Sequence, residues 1–182
     1  MSRLLDDLQL RAAEAADIAA IAALYADEVR CNVNTYEYDA PDQAEMLRRM
    51  QDVVARGYPY LIAQTADSRL AGYAYASSYR ARIGYRWTVE DTIYVAPALH
   101  GRGIGTALLQ ALIADCEARG FRQMVAVIGD STNQASIRLH ERHGFIPVGV
   151  FTGLGRKHDR WLDTIQMQRP LGSGADEAPS DE

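Results

Sequence analysis

The stretch IYVAPALHGRGIGT, residues 93–106, sets three glycines (Gly101, Gly103 and Gly105) at alternate positions between a β-branched run and an apolar helical stripe. Glycine lets backbone approach a ligand closely, and the unpaired N–H groups of a helix's first turn attract anions. A diphosphate is the natural guest of such a loop. A nucleotide cradle of the form G-x-x-x-x-G-K-[ST] is excluded, because Lys157 is the single lysine of the chain and lies far downstream. A dinucleotide fingerprint, G-x-G-x-x-G, fails as well: it requires glycine at 106 or 108, where Thr106 and Leu108 stand. Upstream, Glu90 and Asp91 place two carboxylates early in the strand that feeds the loop, and His140 lies downstream. A carboxylate can accept a proton and an imidazolium can give one. The four histidines and the acids show no metal-ligand spacing, so no metal is expected.

The elements that must position these groups follow from periodicity. Residues 8–11 alternate as a strand, and Asp17 reads as the N-cap of a helix carrying Ile18, Ile21, Ala22, Tyr25 and Val29 on one side. Pro41 and Asp42 open a second helix to about Val54, ended by Gly57-Tyr58-Pro59. Residues 60–64, 70–77 and 87–95 read as strands, the first two joined by a turn at 66–68. The helix after the glycines carries Leu108, Leu109, Leu112, Ile113 and Cys116 and stops at Gly120. Cys116 on that stripe reads as a small buried hydrophobe. Residues 121–128 have a continuous apolar centre, which suits a strand buried on both faces. A helix over 133–142 and strands over 145–152 and 161–168 close the chain, with a polar loop holding Lys157 and His158 between the last two. The order β-α-α-β-β-β-α-β-α-β-β predicts an α/β (α+β) domain, a mixed central sheet flanked by helices, over residues 1–171. Residues 172–182 (GSGADEAPSDE) read as a disordered acidic tail.

The 182 residues suit one domain. The net charge of −5 is mostly tail: residues 1–171 hold 20 acids against 19 bases. A nearly neutral body argues against a sequence-independent nucleic-acid partner. No apolar run approaches a membrane span, and the opening MSRLLDDLQLR has acids where a signal peptide needs an apolar stretch. Two cysteines make no disulfide framework, so a cytoplasmic protein is expected.

The pattern His100-x-x-Gly103-x-Gly105 resembles the [Q/R]-x-x-G-x-[G/A] pyrophosphate loop of the GCN5-related N-acetyltransferases (GNAT). The run from Asn133 and Ser136 through His140 to Gly144-Phe145 is similar to that superfamily's second signature, N-x-x-[S/A]-x-x-x-[Y/H]-x-x-x-G-F. Leu10-Arg11-Ala12, residues 35–41, residues 85–90 (YRWTVE), Val127-Ile128-Gly129-Asp130 and Gly155-Arg156-Lys157-His158 look like the phosphinothricin and methionine sulfoximine/sulfone branch, so the likeness covers about residues 8–170. His100 departs from the family's Gln or Arg.

The resemblance implies a GNAT fold and acetyl-CoA as co-substrate. It implies Glu90 as the base that takes a proton from the acceptor amine, and His140 as the donor to the departing thiolate. Backbone of Ile93, Tyr94 and Val95 would hold the pantetheine arm. The run His100, Gly101, Arg102, Gly103, Ile104, Gly105 and Thr106 would hold the diphosphate, and Asn133 and Ser136 would add polar contacts. Tyr36, Arg80, Arg82 and Tyr85 would bind a small amino-acid-like acceptor, the arginine forks matching its carboxylate or phosphinate. His143 reads as a partner of its helix's C-terminal dipole, and His158 as a further candidate near the acceptor. The branch also implies detoxification and a homodimer. A protein N-terminus or a polyamine as acceptor, or a coenzyme-binding regulator without turnover, stays open as an alternative.

Overall fold

The computed structural model describes residues 7–179. The first six residues of the opening segment and the last three of the acidic tail lie outside that range. The strands are β1 (Gln9–Ala12), β2 (Tyr60–Gln64), β3 (Leu70–Ser78), β4 (Thr88–Val95), β5 (Gln123–Gly129), β6 (Ile146–Lys157) and β7 (Arg160–Pro170). The helices are α1 (Ile18–Cys31), α2 (Gln43–Ala55), α3 (Ile104–Ala118) and α4 (Gln134–Arg142), with single 3-10 turns at Ala15–Asp17, Ile83–Tyr85 and Pro97–Leu99. This is the expected element order with those turns added.

The strands form one mixed sheet in the order β1-β2-β3-β4-β5-β7-β6. Strand alternation sorts β3 onto two faces. Gly72, Ala74 and Ala76 face α3, and small side chains there let the helix lie close. A Cβ on Gly72 would stand 2.6 Å from the Tyr94 carbonyl oxygen and 3.1 Å from Leu108. Tyr73 and Tyr75 face α1 and α2, where Tyr60 stacks on Tyr75 at 4.8 Å and Tyr94 packs on Tyr73 at 5.3 Å. The two cores lie on opposite sides of the sheet. Leu108, Leu109, Leu112, Cys116 and Met124 are fully buried on the first, and Ile21, Ile62 and Tyr73 are almost so on the second.

Three local expectations differ from what is found. Asp17 does precede α1, but its carboxylate turns back: it accepts from the Glu14 N–H at 2.8 Å and takes the Arg11 guanidinium in a double bond, both arms at 2.8 Å. An arginine fork within reach outcompetes the helix N–H groups for a carboxylate. Asp42, by contrast, caps α2 through the Glu45 N–H at 2.8 Å. The polar loop between the last strands shrinks to a two-residue hairpin, with His158 and Asp159 at φ 47° and 59°, the backbone form that matches strand twist. Lys157 is consequently the last residue of β6 and is only 2% exposed. Residues 172–179, where composition predicts disorder, continue in turns beyond buried Leu171. Arg122 donates there to the Ser173 hydroxyl and to the Ala178 carbonyl.

Candidate active site

Strand β4 is the hinge of the site. It pairs in parallel with β5 only from Thr88 to Asp91, opposite Gln123 to Ala126. Beyond Asp91, β4 stays with β3 out to Val95, while β5 stays with β7 out to Gly129. The sheet therefore forks, and main-chain groups of the forked segments are left for a ligand to pair with. A cleft of about 780 Å³ occupies the fork and runs to the glycine turn and α4. That size is ordinary for a cofactor or drug-sized molecule. Ile93, Tyr94 and Val95 line one arm, and Val127, Ile128 and Gly129 the other.

At the open end the glycines do two different things. Gly101 and Gly103 adopt φ 72° and 85°, so the chain turns sharply into α3 with Gly103 as its N-cap. The first-turn N–H groups point outward, a suitable seat for a diphosphate. Gly105 is helical, and its lack of a side chain serves packing: a Cβ would meet Leu139 of α4 at 3.3 Å. Ile104 is buried beneath the turn, Thr106 lines the cleft, and exposed Arg102 does not line it. His100 lines the cleft but ties its ring to the loop, Nε2 lying 2.9 Å from the Val95 carbonyl oxygen. Positive charge comes instead from Arg138 and Arg142 of α4. They escape sequence reading because a helical arginine faces solvent by default.

At the closed end, adjacent residues of a strand point to opposite faces. Glu90 lies with Thr92 and Tyr94 on the side of α1, and Asp91 with Val89 and Ile93 on the side of α3. Burial pushes the Glu90 carboxyl up to about 7, and the neighbouring Asp91 charge adds to the effect. A carboxylate poised there is a competent base at neutral pH. Asp91 is buried against His140, with Oδ2 3.0 Å from Nε2, while Nδ1 lies 2.8 Å from the Ser136 carbonyl oxygen. Burial works against a charged ring, but the bond to Asp91 and its charge outweigh it and hold His140 above its ordinary range. Phe145 packs edge-on against the ring at 4.9 Å. His143 caps α4, its Nδ1 2.8 Å from the Leu139 carbonyl.

The wall on the Glu90 side comes from α1 and the segment after it. Tyr25, Glu28, Asn34, Thr35 and Tyr75 line it. Glu28 is 3% exposed and accepts from Asn34 Nδ2 at 2.8 Å; Asn34 in turn accepts from Asn133 Nδ2 at 3.0 Å. Asn133 also caps α4 by accepting from the Ser136 N–H. Lys157 Nζ donates to the Thr35 carbonyl at 2.8 Å, and burial pushes its pKa down.

Glu90, His140, Ile93, Tyr94, Val95, the glycine turn, Asn133 and Ser136 thus meet in one cleft. Four expected acceptor residues do not line it. Tyr36 is a strut: its hydroxyl lies 2.9 Å from Thr164 Oγ and 3.2 Å from the Asp163 carbonyl, and its ring covers Gly155. Arg80, Arg82 and Tyr85 are exposed in the segment after β3, with Arg80 over the Tyr79 and Tyr85 rings at 5.2 and 5.8 Å. Sequence reading gave Asp91 no role of its own and passed over Glu28; the signal for each is an acid at an inward position of its element. Among the described residues no group of three or more His, Cys, Asp or Glu side chains gathers to hold a metal, and no helix is long and apolar enough to cross a membrane.

Comparisons agree with this geometry. A phosphinothricin N-acetyltransferase of Alcaligenes faecalis is 48% identical over 158 residues, covering 87% of this chain and 80% of that protein. An L-methionine sulfoximine/L-methionine sulfone acetyltransferase of Pseudomonas aeruginosa is 39% identical over 89% of this chain and 94% of its own. The crystal structure of a phosphinothricin acetyltransferase from Sinorhizobium meliloti in complex with AcCoA superposes with a TM-score of 0.93 at 46% identity, covering 96% of this chain and 94% of that one. The model of the acetyltransferase (GNAT) family matches residues 19–145, a span that contains the fork, the glycine turn and His140, and the chain belongs to that family.

Proposed function

We propose that the protein transfers the acetyl group of acetyl-CoA to the α-amino group of a small amino-acid-like compound of the phosphinothricin, methionine sulfoximine or methionine sulfone type. The observation that carries this reading is the fork, with the Glu90 carboxyl on one face and the His140 imidazole, bonded to Asp91, on the other. Acetyl-CoA fits the residues present: main-chain groups along both arms suit the amides of its pantetheine, and the turn at Gly101 and Gly103, with Arg138 and Arg142, suits its phosphates. It supplies an acyl group already activated as a thioester. Glu90 takes a proton from the acceptor ammonium, so that nitrogen attacks as a free amine. His140, whose two ring nitrogens are taken by the Ser136 carbonyl and Asp91, meets the departing sulfur as a charge rather than through a free N–H. Arg80 and Arg82, exposed on the turn outside the cleft, enter this reading as the groups that would draw the acceptor's anionic end. Acetylation removes the charge of the α-amine, which is how such a step would detoxify an amino-acid mimic in the cytoplasm.

Thiol release tests the reading. With acetyl-CoA and each of the three compounds, free thiol should appear above background. The Arg80→Ala/Arg82→Ala double variant should raise KM for these acceptors without changing that for acetyl-CoA. Thiol release with a polyamine or a peptide N-terminus, and with none of the three, would overturn the acceptor class.

A homodimer is part of the same proposal. β6 is the sheet's edge, and Ile146, Val148, Val150, Phe151 and Leu154 along it are each more than half exposed. A run of apolar side chains on an edge strand invites a second chain. Light scattering should give twice the chain mass of 20.1 kDa. Val150→Asp with Phe151→Asp should give the single-chain mass, and an unchanged mass for this variant would refute the face.

A further inference from the structure

We propose that Asp91 is a positioning residue for acetyl transfer: its carboxylate holds His140 at the fork with a proton on Nε2. The inference rests on the reading of Glu90 as base and of the His140 ring as the charge that meets the departing thiolate, and extends it to a residue on the opposite face of β4.

The argument is geometric. Nδ1 of His140 faces the Ser136 carbonyl oxygen at 2.8 Å, which accepts only, so that nitrogen carries a hydrogen. Nε2 faces Asp91 Oδ2 at 3.0 Å, another acceptor. Two acceptors, one at each nitrogen, select the doubly protonated ring. The other carboxylate oxygen, Asp91 Oδ1, is sealed from solvent with no partner. A buried carboxylate oxygen without a donor is costly unless charge of opposite sign stands beside the group. The imidazolium is that charge. Every feature of the pair therefore favours one proton on Nε2, at the point where β4 and β5 part.

The pair's other neighbours do not supply this. Glu90, next along β4, is a like charge to Asp91 and raises no donor. Cys116 of α3 lies near enough to Asp91 for its charge to be felt, and burial pushes the thiol up to about 12, so it stays neutral. Arg138 and Arg142, on the same helix as His140, line the cleft, and Glu28 lines it from α1.

In the transfer step, the bond between acceptor nitrogen and carbonyl carbon forms and the carbon–sulfur bond breaks. The Nε2 hydrogen stays on its Asp91 acceptor, the positive charge of the ring steadies the departing thiolate, and that thiolate takes the proton shed by the newly acylated nitrogen. Glu90 carries the first ammonium proton to solvent, so each turnover releases one proton. Asp91 also lines the cleft, but its part here is to keep the His140 ring charged and in place.

Asp91→Asn keeps the shape and removes the charge. The ring of His140, followed by NMR of its labelled nitrogens, should titrate about one pH unit or more lower in the variant. Because Asp91 also raises Glu90, both limbs of the kcat/KM profile should move to lower pH together. If the limb below neutrality moves alone and the His140 titration stays, Asp91 acts on Glu90 only and the proposal is overturned. The double variant Asp91→Asn/His140→Asn should lose no more kcat than His140→Asn alone, and losses that multiply would also overturn it. The wild-type protein gives an answer independent of any variant: a ring found neutral at pH 6.5 sinks the idea. Failure of Glu90 as base would instead show as full activity of Glu90→Gln, with the His140 titration unaffected.

Discussion

Replacing Glu90 with Gln is expected to lower kcat by about 10²–10⁴-fold, the range typical for loss of a general base, while making the fold more stable at pH 8. The two effects share one cause. Burial raises the Glu90 carboxyl from 4.5 to about 7, so the folded protein holds that proton more tightly than the unfolded chain. A raised carboxyl has the opposite sign to the usual case. Its charge costs stability that begins to be lost above the unfolded value of 4.5, and the loss is complete above about 7. Gln is neutral at every pH and escapes that cost. The gain at pH 8 should be about 1–3 kcal/mol, discounted for the partial exposure of the side chain, or several degrees in Tm. At pH 4.5 it should shrink towards nothing. Thermal melts at both pH values, set beside thiol-release kinetics, check the pair. In the wild type, kcat/KM should fall about tenfold per pH unit below the Glu90 titration near 7. An enzyme fully active at pH 5 would show that another group is the base.

Glu90 also shows where the sequence was legible. Its position early in a strand that ends in a glycine-rich turn followed from local patterns: β-branched alternation up to Val95, then Gly101 and Gly103, then the α3 stripe. Each is a short-range feature, and each strand, helix and turn it specified lies close to where it was expected. What could not be read were contacts made by closure of the sheet. Asp91 meets His140 across 49 residues of sequence, and nothing local to either residue announces the other. Asp17 carried the right residue type for a cap, yet an arginine on the neighbouring strand claimed it. The cleft wall on the Glu90 side shows the same limit. Arg80 and Arg82 lie on an exposed turn outside the cleft, whereas Glu28 and Asn34 enter it because α1 packs across the sheet. Helical spacing placed Tyr25 and Val29 inward, and Glu28 adjoins them on that arc, but an acid there reads as a surface residue until the helix is docked.

Lys157 carries the second large expectation. It is 2% exposed at the end of β6, and its ammonium donates to the Thr35 carbonyl at 2.8 Å. Glu28 and Glu37 supply the negative field that keeps it charged against the cost of burial. Lys157→Met fits the space but removes the donor, leaving the Thr35 carbonyl without its partner and Glu28 without its counter-charge. Breaking a buried charge contact from one side costs about 3–5 kcal/mol, which for a chain of this length is about 6–20 °C in Tm. The functional consequence should be selective. Thr35 and Asn34 line the cleft on the Glu90 side, where the proposed reading seats the acceptor, whereas the glycine turn and α4 lie beyond the fork. Loosening the segment that holds Thr35 should therefore raise KM for the acceptor at least tenfold and leave KM for acetyl-CoA within about twofold, since one lost anchoring hydrogen bond to a charged group is worth about 1.5–3 kcal/mol. Lys157→Arg keeps the charge but adds bulk at a buried site, so it should recover part of the stability and little of the acceptor affinity. Initial rates with each substrate varied in turn, below the variant's melting range, decide the matter. Equal rises in both KM values would mean that Lys157 supports the whole domain rather than the cleft wall on the Glu90 side.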